Sequence, residues 1–268
     1  MKTLFLPSVL ALSLPFSLTF AGTMGDLAKQ DANPFYFILG TGYSWSDTVK
    51  LNPDLSFWDP AVEGYSSDFG STMLYNFGVG YRFNKMLGLS IEAAKRSQYH
   101  YTKLQTSLGI HGNKTRNFNV DNTTIMMNGQ VFGEGISDSL LWALGSQMTL
   151  QPTVGGGLGV AYNTLSNFYS TRSITEPLYG QKQLGVFGNN TKISSLACQL
   201  QAGLHFTYGT HASVDIGYRY FSGGMVKGPD VITYGASFVP PIDGSASRPF
   251  VNDRFQANEA FINLNYAL

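Results

Sequence analysis

Alternation of apolar residues with small or polar ones, held for about nine or more positions and recurring eight times, is the feature that most constrains this chain. A period of two belongs to a pleated strand, whose successive side chains point to opposite faces. In the first segment, 35–45, Phe35, Phe37, Leu39, Thr41, Tyr43 and Trp45 share one face, while Tyr36, Ile38, Gly40, Gly42 and Ser44 share the other. The remaining segments are 75–83, 87–96, 123–132 (the weakest), 148–163, 196–208, 212–221 and 259–268. Soluble strands usually run about five or six residues. A tilted strand that crosses a bilayer needs about nine to eleven. Within a bilayer no strand edge can be left unpaired, so such strands close on themselves, and an even count suits a single-chain barrel. The expected fold is therefore all-β: an eight-stranded antiparallel transmembrane β-barrel, an up-and-down meander with long extracellular loops.

The connections support this arrangement. Those at 84–86 and 209–211 are short, whereas 46–70, 97–122, 164–191 and 222–254 are long and rich in Asn, Asp, Ser, Thr, Gly and Pro. If the first strand starts inside, all four long connections fall on the outer side, the usual barrel asymmetry. The connection at 133–147 is intermediate, and its Leu140, Leu141 and Trp142 suggest a short interfacial helix. Pro152 cannot donate to a strand ladder, so it marks a bulge or the membrane edge.

Residues 1–21 have the layout of a secretory signal peptide: Lys2, an apolar run interrupted by Pro7 and Pro15, and small residues before a cleavage point after Ala21. Residues 22–34 are then a periplasmic N-terminal segment and 35–268 the barrel domain, with no further domain expected after the eighth strand. Without the signal the chain carries 16 basic and 17 acidic side chains. This balance, with no basic tract, gives no support to nucleic-acid binding. The single Cys198 excludes an intrachain disulfide and a four-cysteine metal site. No later apolar run is long enough for a helical span. The 30 Gly, 19 Phe and 15 Tyr, with only 13% charged residues, suit closely packed strands with aromatic belts.

The inward faces carry the candidate site. Arg82, Glu92, Arg96, Asp215, Arg219 and Glu259 would share a lumen just wide enough for side chains to fill it. Buried charges of both signs should pair. The expected pairs are Arg82–Glu92 across the 84–86 hairpin and Arg219 with Asp215 or Glu259. This network reads either as a gate or selectivity filter or as a polar core that plugs the barrel, and the plug is favoured. His205 is the one histidine on an inner face. It suggests a satisfied lumen histidine over the base of a lipid-modifying enzyme, because that role needs a nucleophile and an orienting acid nearby, and nothing in the sequence shows the inward Ser90 and Glu92 reaching it. The run from Gly155 to Gly159 lacks the lysine and following helix of a phosphate loop. No cofactor, no metal and no catalytic residue are expected.

The strands "YNFGVGYRF", "PTVGGGLGVAYN", "ASVDIGYRYF" and the terminal "AFINLNYAL" resemble the small bacterial outer-membrane β-barrel family, which includes the OmpA-like transmembrane domain and the opacity-type surface antigens. The resemblance covers nearly all of the chain after the signal. It implies an outer-membrane location, with lipid, lipopolysaccharide, periplasmic chaperones and the barrel-assembly machinery as partners. The last strand resembles the signal by which that machinery recognises its clients, with Leu268 where Phe is usual. The fold hosts several functions. The long loops, with aromatics such as Phe57, Trp58, Phe168, Tyr169 and Tyr179, point to a structural or adhesive surface barrel facing host molecules. A small-solute or hydrophobic-compound channel and a lipid-modifying enzyme are the alternatives. A soluble lipocalin-like barrel fits poorly, because Tyr and Phe face outward at both ends of most strands.

Overall fold

The computed structural model describes residues 34–47, 49, 68–105, 114–176, 180–229, 231–236, 239–245 and 251–268. The expected signal peptide, almost all of the 22–34 segment, and Phe57, Trp58 and Tyr179 lie outside them. The described strands are β1 Phe35–Ser46, β2 Ser71–Arg82, β3 Leu87–Gln105, β4 Lys114–Phe132, β5 Trp142–Ala143, β6 Met148–Glu176, β7 Gly180–Gly188, β8 Thr191–Tyr208, β9 Ala212–Lys227, β10 Val231–Ala236, β11 Val239–Ser245 and β12 Asn252–Ala267.

Eight of these form a closed antiparallel ring in the order β1, β2, β3, β4, β6, β8, β9, β12 and back to β1. Closure rests on a full ladder from Tyr36 opposite Ala267 to Ser46 opposite Ala257. Each ring strand turns a large apolar side chain outward near mid-height: Leu39, Phe77, Ile91, Ile125, Leu158, Leu200, Ile216 and Ile262 are 45 to 68% exposed. A continuous apolar girdle of this size is stable only when lipid is its solvent. Aromatic side chains flank it. Tyr43, Trp45 and Tyr218 cluster toward one end, and Phe35, Tyr81 and Phe83 toward the other.

The strands run well past the segments read from the sequence. Among the described residues, the connections at 97–122, 164–191 and 222–254 are largely strand: β3 and β4 continue to Gln105 and from Lys114, and β6 is 29 residues long. After the kink at 189–190, β7 and β8 form one path that descends beside β6. β10 likewise continues the path of β9 and pairs with β7. The sheet therefore extends beyond the ring through β6, β7, β10 and β11. Three register shifts mark this level, with β3 irregular between Arg96 and Tyr99, β6 between Ser166 and Tyr169, and β9 between Ser222 and Met225. In each case the strand carries one extra residue against its partner, and a bulge of this kind flips the face on which later side chains lie. Asn167 and Gly224 adopt the positive φ values of 55° and 72° that such bulges use.

Above the shifts the pattern inverts. Tyr99, Tyr101, Phe118, Val120, Leu165, Phe168, Phe221 and Phe255 are buried inside, together with Phe69, while Gln98, His100 and Asn119 face out and hydrogen-bond one another. The stretch at 133–147 is not the expected interfacial helix. It forms two short 3-10 turns, Gly133–Gly135 and Asp138–Leu140, followed by β5 against Leu150 and Thr149 of β6. Pro152 sits at the gap between the end of β4, where Phe132 faces Thr153, and β5, where Trp142 faces Leu150, so its missing N–H costs no ladder bond on that side.

Candidate functional site in the barrel lumen

The inward residues form three layers. Nearest the short turns lies a polar layer. His205 Nδ1 is 2.6 Å from Asp215 Oδ1, and the other Asp215 oxygen accepts from Asn265 Nδ2 at 2.7 Å. Phe132 packs edge-on to the His205 ring. Tyr36 lies over Gly80, where any Cβ would strike its ring, so a glycine at this position lets an aromatic cross the lumen. Glu92 is buried and accepts from Asn76 Nδ2 (3.1 Å), Ser90 Oγ (2.8 Å) and Asn128 Nδ2 (2.8 Å). Gln199 Nε2 donates to Asn128 Oδ1 at 2.7 Å and extends the network to β8.

The middle layer is a charge clasp. Arg96 reaches Glu259 with two donors, Nε to Oε1 at 2.5 Å and Nη2 to Oε2 at 3.1 Å, and both side chains are fully buried. A two-point guanidinium–carboxylate contact is among the strongest polar contacts a protein can build. Arg96 Nη1 also donates to Asn122 Oδ1 at 2.9 Å, and Asn122 donates in turn to Asn163. Ser44 Oγ donates to Glu259 Oε1 at 2.8 Å. Its single proton is thereby used, so the 2.6 Å contact with Tyr99 has the phenol as donor. Arg219 stands farther from the same carboxylate, at 3.7 Å, and its Nε and Nη2 have no protein partner. Its guanidinium lies over Phe261.

The third layer is aromatic. Arg96 stacks on Phe221 at 3.5 Å. Beyond Phe221 the interior is Phe255, Tyr99, Phe69, Phe118, Tyr101 and Phe168, in stacked and edge contacts that include Tyr101 on Phe118 at 4.4 Å. This aromatic layer lies toward the long-loop end of the lumen, above the charges.

Of the six residues expected in the lumen, the structure brings Arg96, Arg219 and Glu259 into one cluster. Asp215 is joined to His205, not to Arg219, and among the described residues Glu92 forms no ion pair. Arg82 departs most. The expected Arg82–Glu92 pair does not form, because the hairpin register sets Arg82 opposite Gly88 and Glu92 opposite Gly78. Arg82 instead lies at the rim, 3.8 Å from Glu134, which also takes Lys85 at 3.2 Å, and it stacks on Phe132. Phe168, read as an exposed loop aromatic, is buried in the core. What the sequence reading missed was the aromatic layer. Its signal is present in Gln98-Tyr99-His100-Tyr101 and Asn117-Phe118-Asn119-Val120, which alternate with the polar residues facing out. Among the described residues no group of three or more His, Cys, Asp or Glu could hold a metal, and no hydroxyl or thiol hydrogen-bonds to His205.

The family described as outer membrane protein beta-barrel domain matches residues 14–238. The match stops short of β12, whose pairing with β1 closes the ring. The sequence matches none of the curated proteins with which it was compared. Among solved structures, the chain is similar to Neisserial surface protein A at 12% identity and a TM-score of 0.43, covering 88% of this chain and 99% of that one. For the outer membrane protein OprG from Pseudomonas aeruginosa the values are 16%, 0.40, 89% and 98%. For the attachment invasion locus protein of Yersinia pestis, bound to the heparin analogue sucrose octasulfate, they are 14%, 0.38, 88% and 99%. At these identities and scores the likenesses carry no functional weight. With most of its length matched by the family and its ring girdled by apolar residues, the chain belongs to the outer membrane protein β-barrel family and resides in the bacterial outer membrane.

Proposed function

We propose that this is a non-conducting surface barrel with a structural and adhesive role. The observation that carries this reading is the aromatic core above the clasp. Phe69, Tyr99, Tyr101, Phe118 and Phe255 are buried to within 1% of complete, which is interior packing and not the lining of a water path. A bare membrane anchor has no use for such a core. This core packs β3, β4, β6, β9 and β12 together where they continue past the apolar girdle, on the side to which the family's long connections face. A packed base for those connections lowers the ordering cost of binding a partner. A channel reading draws on the unpartnered polar atoms of Asn263, Asn265, Gln201 and Arg219, but these lie below the aromatic layer.

The test uses the full mature chain refolded in vesicles. Vesicles bearing it should adhere to host-cell surfaces above the level of empty vesicles, and the same preparation should show no reproducible conductance steps in a planar bilayer. Adhesion equal to empty vesicles would retire the adhesive role, and steady conductance would overturn the closed lumen.

A further inference from the structure

The segment between β4 and β6 has an apolar surface that the barrel itself does not use. Ile136, Trp142 and Leu144 are 63, 44 and 52% exposed, and Leu140 and Leu141 between them are half-exposed. Three apolar side chains open to water beside two half-buried leucines in one periplasmic connection would be costly, and a patch of this kind marks a contact. The backbone is ready for such a contact. Ile136 N–H bonds to Gly133 O, Leu141 N–H to Asp138 O and Leu144 N–H to Met148 O, so these groups need no water.

The position of the segment says what covers it. β5 pairs with β6 so that Trp142 stands opposite Leu150, on the outward phase of β6 that carries Leu158 and Val160 higher up. The patch is therefore continuous with the lipid girdle. It is also fastened to the barrel, since Phe132 N–H bonds to Met86 O, Glu134 is held by Arg82 and Lys85, and Glu134 N–H bonds to Gln151 Oε1 at 3.0 Å. A tryptophan at the end of an apolar girdle prefers the headgroup region, where its ring is half apolar and its N–H finds a partner.

The geometry points to residues 136–144 as an in-plane anchor seated in the phospholipid headgroup region of the periplasmic leaflet. The anchor fixes the depth of this side of the barrel and clamps the 84–86 turn through Met86 and Glu134. This inference rests on the membrane placement of the ring and is independent of the adhesive role.

The test reads Trp142 directly. The chain has three tryptophans, Trp45, Trp58 and Trp142, so the W45F/W58F variant of the full mature chain leaves Trp142 alone. It is refolded into phosphatidylcholine–phosphatidylethanolamine vesicles whose acyl chains carry bromine either near the headgroup or near the chain ends. The expected result is loss of most Trp142 emission with bromine near the headgroup, little loss with bromine at the chain ends, and shielding from aqueous acrylamide. Full access to acrylamide without bromine quenching would overturn the anchor. So would shielding that appears only at high protein-to-lipid ratio, which would assign the patch to a second copy. If the double variant folds poorly, the difference between the native chain and W142F, measured with the same lipids, gives the same answer.

Discussion

Glu259 is the residue on which the lumen depends most. It is fully buried, receives two donors from Arg96 and one from Ser44, and is the only carboxylate near Arg219 among the ion pairs of the described residues. Replacing Glu259 by Gln removes the negative charge and leaves two buried guanidinium groups facing each other's field. Breaking a buried pair by removing one partner costs about 3–5 kcal/mol, and a urea titration of the barrel in vesicles should show a loss of that order. Glu134→Gln is the control. Its pairs with Arg82 and Lys85 are partly exposed, so the loss should stay within about 1 kcal/mol. Equal losses for the two would mean that the clasp is not the stabilising contact. The sequence placed Glu259, Arg96 and Arg219 on inward faces, because strand phase alone decides that. It could not pair them, since Arg96 and Glu259 are 163 residues apart and meet only when the ring closes. It mispaired Arg82 because the hairpin was centred two residues too far along, and in a strand ladder the centre of the turn fixes every partner.

At the scale of the element, the bulges of β3 and β9 explain why the sequence ended these two strands at Arg96 and Phe221. Up to Arg96 the inward residues of β3 are even-numbered, and from Tyr99 they are odd. A reader following a period of two meets a broken phase at Ser97 and takes it for the end of the strand. The bulge of β9 depends on Gly224, whose φ of 72° belongs to the left-handed region and whose added Cβ would meet the Ser195 Cβ at 2.2 Å. Gly224→Val meets both penalties. The left-handed conformation alone costs about 1–2 kcal/mol in a residue with a Cβ, so the urea midpoint should fall by at least the equivalent amount. An unchanged midpoint would show that β9 can realign without its bulge. The edge strand β11 carries Pro240 and Pro241, and prolines withhold the N–H groups through which an exposed edge recruits foreign strands.

On the scale of the whole molecule, the described strands carry two interiors: a membrane ring, apolar outside and polar inside, and a continuation above it whose interior is aromatic. The inversion follows the change of solvent from lipid to water, with bulges in β3, β6 and β9 at the same level. Hydrogen exchange read by mass spectrometry on the folded barrel should therefore find the amides of 116–122 and 164–169 as slow as those of 123–130 and 154–162, although only the latter lie in lipid. Fast exchange in the first pair would mean that these strands are not a packed continuation of the ring. By itself the sequence determined the eight strands of the ring, most of their lipid-facing and lumen-facing residues, and the family, because each is written in local alternation that any pleated strand must obey. Tertiary structure alone decided which charges meet, how far the strands continue, and that Phe69, Tyr101, Phe118, Phe168 and Phe255, scattered along the chain, converge into one cluster. Those outcomes depend on ring closure and bulge positions, which bring together residues too distant along the chain for any local pattern to register.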